Sequence, residues 1–179
     1  DHLTGLFNSG KIRQEAEKVI RRHERKPGSM ACAALADIDH FKTINDTHGH
    51  IQGDRVLSQM GEIFSSSMRG VFDMAGRYGG EEFLLIFDET DETQAFSIVE
   101  RLRKKIESHE FERVDHSGTP LESQSLRLTV SFGIALLDEQ GGVKTAVDWI
   151  GRADQALYWS KNQGRNQTTI YSGPNMEKD

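Results

Sequence analysis

Met74-Ala75-Gly76-Arg77-Tyr78-Gly79-Gly80-Glu81-Glu82-Phe83-Leu84-Leu85-Ile86-Phe87 sets two glycines between two strand-like runs. That pattern is a tight-turn signal, and it predicts a β-hairpin. A hairpin makes its strands antiparallel, so the sheet that holds it cannot be all parallel. The second run, Phe83 to Phe87, is apolar on both faces.

Outward from the hairpin, helices alternate with strands. Upstream, Met30 to Ala36 is almost wholly apolar and closes on Asp37-Ile38-Asp39, the pattern of a buried strand that delivers acids at its end. Before it, Ile12, Ala16, Val19 and Ile20 recur at helical spacing, which predicts a helix from Ser9 to about Arg25, ahead of Pro27-Gly28. A polar stretch, His40 to Asp54, leads into a second helix carrying Val56, Leu57, Met60, Ile63 and Phe64 and ending near Gly70. Downstream, Thr93 to about His109 reads as a helix with Thr90 or Asp91 capping it, and Phe111 to Ser125 as a short hairpin or loop. Leu126 to Leu136 reads as a strand, about Val143 to Lys161 as a helix, and Thr168 to Tyr171 as a last strand. The predicted class is α+β: a ferredoxin-like, palm-like, mostly antiparallel sheet with helices on one face. No repeat or linker divides the chain, so residues 1–171 are read as one domain and 172–179 as a flexible tail.

The chain has 179 residues and a net charge of −6, from 22 Lys and Arg against 28 Asp and Glu. An apolar fraction of 36% with 28% charged residues supports a core and excludes disordered or collagen-like chains. The single cysteine, Cys32, excludes an intrachain disulfide framework and suits a reducing, cytoplasmic setting. No apolar run approaches the roughly 18–20 residues of a membrane span, so direct membrane contact by this domain is not expected, although the parent protein can be anchored. The start at Asp1 suggests a piece of a longer protein whose N-terminal sensory or regulatory region is missing. The acidic balance argues against bulk nucleic-acid binding.

Two acidic corners carry the chemistry, Asp37-Ile38-Asp39 and Glu81-Glu82. Adjacent central strands bring them together, and carboxylates converging at strand ends suit Mg²⁺, or Mn²⁺ in its place, with substrate phosphates completing the shell. Glu81 and Glu82 point to opposite faces of their strand, so they are not equivalent ligands. The plainer reading is that each pair solvates a strand end. His40, His48 and His50 lie close together, but no cysteine is near and the spacing fits no common zinc finger. Lys161 and Arg165 alone would read as helix-end cations, and Gly53-Asp54 as a helix N-cap.

Arg77-Tyr78-Gly79-Gly80-Glu81-Glu82-Phe83 resembles the signature of the GGDEF family of diguanylate cyclases, in its GGEEF form. Asp1 to Asn8 resembles the family's opening DxLTGLxN, and Asp37 to Asp54 its DIDxFKxINDxxGHxxGD stretch. Ala153-Asp154, Ala156-Leu157-Tyr158, Lys161 and Gly164-Arg165-Asn166 resemble its close. The resemblance implies condensation of two GTP into cyclic di-GMP with release of two pyrophosphates, by two domains that each present one GTP in a homodimer. It implies that Asp37, the Ile38 carbonyl and Glu81 hold the metal. Glu81 is the usual proton acceptor, with Glu82 or solvent in its place because a metal-bound carboxylate is a weakened base. Asn45 and Asp54 occupy guanine-reading positions, where a carboxylate accepts from two donors that adenine lacks. His50 is a further substrate contact. Lys42, Lys161 and Arg165 grip the β- and γ-phosphates, and Gly79 and Gly80 let the backbone approach the nucleotide. The alternative is a catalytically silent domain that binds GTP or cyclic di-GMP and regulates a partner. A single-nucleotide cyclase on the same palm is a further alternative.

Many members carry an inhibitory RxxD site for the product. Here its Asp is Asp73 and a secondary arginine is Arg101, but Gly70 stands at the Arg position and Arg69 lies one residue early. A one-residue shift on a helix end turns a side chain by about 100°, so the expectation is a degenerate site with Arg69 misplaced.

Overall fold

The computed structural model describes residues 1–26, 28–70, 72–137 and 142–173. Helix α1 (Ser9–His23) starts where the Asn8 side chain accepts the Lys11 amide, and Ile12, Ala16, Val19 and Ile20 form its buried stripe. Strand β1 (Ala31–Ile38) is buried at every position. The polar stretch after it is not a lead-in but is itself helical, as α2 (Phe41–His48) and α3 (His50–Ser67). The two are separated only by Gly49, whose φ of 85° breaks the helix without a steric penalty. Gly53 and Asp54 therefore lie inside α3 and cap nothing.

Strands β2 (Asp73–Arg77) and β3 (Glu82–Phe87) form the predicted hairpin. Its connection runs through Tyr78–Glu81, longer than the two-residue turn the glycines suggest, and Tyr78 and Gly79 both donate backbone N–H bonds to Glu82 O. Helix α4 (Glu92–Ser108) opens on a capping box between Asp91 and Gln94. Strands β4 (Phe111–Val114) and β5 (Pro120–Leu126) make a separate small sheet. Leu126 pairs with Phe111 there, which is why β6 (Val130–Leu137) starts later than its apolar run suggests. Helix α5 (Ala146–Asn162) begins after Thr145 caps the Asp148 amide, and β7 (Thr168–Ile170) closes the main sheet. The expected tail lies outside the described residues beyond Gly173.

The main sheet has the order β2-β3-β1-β6-β7, antiparallel throughout except for the parallel β6–β7 pair. Helices cover both of its faces, not one. On one side Ala34, Ala36, Leu85 and Phe132 pack with α3 and α4; on the other Ala33, Leu35, Leu84 and Ile86 pack with α1 and α5. Alternate residues of β1 and β3 thus enter opposite cores, which is the reason both runs are continuously apolar. Full burial of a large apolar side chain such as Phe83 or Phe132 contributes about 1.5–3 kcal/mol relative to exposure. No helix among the described residues is long and apolar enough to cross a membrane.

Candidate active site

The antiparallel pairing of β1 with β3 sets Asp37 directly opposite Glu82, and the Ile38 N–H lies 3.4 Å from Glu81 O. Both acidic corners therefore meet at one sheet end. Asp37 is 7% exposed, yet its Oδ1 has no hydrogen-bond partner among the described residues, while Oδ2 is held by Lys161 Nζ at 2.6 Å. Burial pushes the Asp37 carboxyl above the usual range, against the pull of Lys161, and Glu81 and Asp39 add repulsion. Burial likewise raises Glu82, followed by repulsion from Asp37 and Asp154. Among the described residues, Lys161 is the cation paired with this corner's carboxylates.

Beside it opens a cavity of about 510 Å³. Lys42 and Asn45 of α2, His50 and Asp54 of α3, and Gly80 and Glu81 of the hairpin all line it. A Cβ on Gly53 would stand 1.9 Å from Asn45 Oδ1, so the glycine leaves room for the Asn45 side chain at this wall. Asn45 Oδ1 is a second buried acceptor without a partner among the described residues. Gly79 serves by leaving space and not by its backbone conformation. Its φ is not positive, but a Cβ there would stand 2.4 Å from Glu82 Oε2, whereas Gly80 faces open space. Glu82 therefore folds against Gly79 while Glu81 faces the cavity, as period-two alternation requires.

Lys161 and Arg165 do not line the cavity: Lys161 lies on Asp37, and Arg165 is exposed on the turn after α5. Arg77, which the sequence motifs leave without a role, does line it. Its Nε and Nη2 donate to Gly80 O at 3.1 and 2.9 Å, clamping the hairpin connection, and its Nη1 is 3.5 Å from Asp1 Oδ1. Its position two residues before the glycine pair is the available signal. Among the described residues, no three His, Cys, Asp or Glu side chains gather around one metal position. The protein's offer is two carboxylates and a carbonyl, with one buried carboxylate oxygen unsatisfied, and that donor set fits a hard cation that keeps waters and phosphates.

At the other end of β2, Arg69 is not turned away. Phe72 N–H donates to Arg69 O at 2.9 Å, and Arg69 grips Asp73 with Nε–Oδ2 at 2.9 Å and Nη2–Oδ1 at 2.7 Å. The one-residue offset is absorbed because α3 ends at Ser67, so Arg69 lies beyond the helix. Arg101 is exposed on α4.

A family model described as diguanylate cyclase, GGDEF domain, matches residues 1–167. Diguanylate cyclase A of Treponema denticola is 37% identical over 136 residues, covering 76% of this chain and 34% of that protein. Response regulator PleD of Caulobacter vibrioides is 36% identical over 166 residues, 93% of this chain and 34% of its own length. The chain thus spans about a third of these relatives. The crystal structure of the GGDEF domain of DgcB from Caulobacter crescentus in complex with c-di-GMP superposes with a TM-score of 0.85 at 32% identity, covering 97% of this chain and 95% of that one.

Proposed function

The chain belongs to the diguanylate cyclase GGDEF-domain family, and from that membership we propose that it joins two GTP into cyclic di-GMP with release of two pyrophosphates. The observation that carries the proposal is the meeting of Asp37 with the Glu81-Glu82 corner beside a cavity lined by Asn45 and Asp54. Guanine enters that cavity, where Asp54 accepts from its N1–H and 2-amino donors and the unpartnered Asn45 Oδ1 takes a further donor. His50 and Lys42 close the cavity around the nucleotide.

Asp37, the Ile38 carbonyl and Glu81 are the residues that would hold Mg²⁺ or Mn²⁺. A metal held there would offset phosphate charge and ease ionisation of the 3′-hydroxyl. Lys161 gives up Asp37 and moves to the β- and γ-phosphates, joined by Arg165. Glu81 accepts the hydroxyl proton, and Glu82, whose carboxyl burial holds above its usual range, is the alternative acceptor. One domain presents one GTP, so the reaction needs two domains facing each other about a two-fold axis. Residues 1–171 form the catalytic domain, under the control of regions elsewhere in the parent protein, on the cytoplasmic side.

The test is incubation with GTP and Mg²⁺ followed by chromatography of the products. Cyclic di-GMP and pyrophosphate in a 1:2 ratio, roughly as two condensations per product require, are expected. GTP binding without product would instead make this a silent regulatory domain.

A further inference from the structure

Asp39 is 4% exposed, and the proposed reaction leaves it without a role. Its Oδ1 accepts the Ser131 hydroxyl at 2.7 Å, and its Oδ2 accepts both the Thr129 hydroxyl at 2.7 Å and the Asn166 backbone N–H at 3.0 Å. The last of these ties the end of β1 to the turn that follows α5. In that turn Gly164, Arg165 and Asn166 have φ of 109°, 63° and 47°. Residues with a Cβ hold such a conformation only where their surroundings enforce it.

Here the surroundings enforce it from three sides. The Arg165 N–H donates to Ser160 O at 3.0 Å. From α4, Arg103 Nη1 donates to Asn166 Oδ1 at 2.7 Å, and Asn166 Nδ2 donates to Glu107 Oε1 at 2.8 Å. The Asp39 carboxylate supplies the third. One backbone N–H of this turn, that of Asn166, reaches an anion, and Asp39 provides that anion from inside the protein. The result is an exposed arginine side chain on a backbone tied to Asp39, which stands two residues along the chain from Asp37.

We propose that Asp39 is a positioning residue for Arg165: its carboxylate holds the Gly164–Asn166 turn in its left-handed form and so presents the guanidinium to the nucleotide's phosphates. The proposal rests on the nucleotide reading above. It makes a specific claim, that loss of Asp39 acts through Arg165 and not through general loss of structure.

The ligand for the test is 3′-deoxy-GTP with Mg²⁺, which lacks the attacking hydroxyl and cannot condense, and its affinity is read by calorimetry. Arg165→Ala is expected to weaken binding about tenfold, the scale of one charge-assisted contact. Asp39→Ala is expected to do the same, and the double variant to be no more than about twofold weaker than either alone, because the two losses are one loss. Asp39→Asn should bind within about threefold of the parent, since its amide oxygen still accepts from Thr129 and Asn166 while its NH₂ donates to the Ser131 hydroxyl. Should Asp39→Ala fail to fold, Gly164→Ala reaches the same turn from solvent: a Cβ there meets nothing within 4 Å, so only φ is strained. It too should weaken binding without adding to Arg165→Ala. Without nucleotide, exchange of the Asn166 amide should quicken in Asp39→Ala and stay unchanged in Arg165→Ala.

Losses that add in the double variants, or an Asp39→Ala protein with a fast-exchanging Asn166 amide and normal affinity, overturn this inference alone. Normal affinity in Arg165→Ala overturns the phosphate role of Arg165 and the inference with it. No binding by the parent protein overturns the nucleotide reading on which both stand.

Discussion

Asp37 meets opposing demands in a single carboxylate. Burial disfavours its charge, Lys161 favours it, and one oxygen is left unsatisfied. Such an arrangement costs stability unless the site is used, so Asp37→Asn and Glu81→Gln are each expected to abolish product formation while leaving the far-ultraviolet circular dichroism unchanged. Retention of more than about a tenth of the activity would contradict the metal assignment. Arg69 and Asp73 make a second residue-scale case. Each satisfies the other through a bidentate pair, and Asp73 is 4% exposed, so a product molecule would have to break that pair to reach either. Titration of cyclic di-GMP by calorimetry is therefore expected to give weak or no binding at this site. Submicromolar binding that Asp73→Ala removes would show the pair to be an open inhibitory site.

Among the elements, α5 and β6 are packed with almost no tolerance. A Cβ on Gly133 would lie 2.1 Å from Ala153 O and 2.1 Å from Leu157 N, so the helix backbone rests on the strand backbone. Gly133→Ala must push α5 outward, and overpacking of this kind costs roughly 1–3 kcal/mol. Because α5 carries Lys161 to Asp37, activity should fall further than the change in denaturation midpoint accounts for; a variant that loses stability alone would uncouple the helix position from the site. On the other side of the sheet, α4 is fastened through Glu100. Burial would raise its carboxyl, but hydrogen bonds from Arg103 and from Thr168 of β7 hold it below the ordinary glutamate range. A depressed folded value means that Glu100 stabilises the fold at pH above its unfolded value, and that this contribution fades as pH falls through the folded one. Glu100→Gln should flatten the acid limb of a stability-against-pH curve, measured by urea denaturation; an unchanged limb would place the acid sensitivity elsewhere.

For the whole molecule, the expected consequence of one GTP per domain is kinetic. Turnover should rise more steeply than linearly with protein concentration, and sedimentation in the presence of substrate should detect a dimer. A specific activity that stays flat over a wide dilution series, with no dimer, would point to a reaction within a single chain.

At this scale too, the division between sequence and tertiary structure has physical causes. Hairpin chemistry made the antiparallel β2–β3 pair legible, and the apolar run ending in Asp37-Ile38-Asp39 announced a buried strand with acids at its tip. Residue types in order carried the membership, since carboxylates, amides and cations at those spacings are a chemical inventory. Helices on the second face were written in the same runs, because a strand apolar at every position needs cover on both sides, yet run length alone does not say how many helices supply it. Polar character hid α2, whose exposed residues follow no apolar stripe; its place is set by contact with α3, where Gly53 leaves room for Asn45. Arg69 escapes the helical rotation its spacing implies, because α3 has ended at Ser67. Pairing of Asp37 with Lys161, of Arg77 with Gly80, and of Asp39 with Asn166 joins residues 124, 3 and 127 positions apart. Of these, the two long-range contacts exist only once the end of β1 and the end of α5 meet at one end of the sheet. No local pattern encodes them, because hydrogen-bond geometry depends on where the backbone has already been brought.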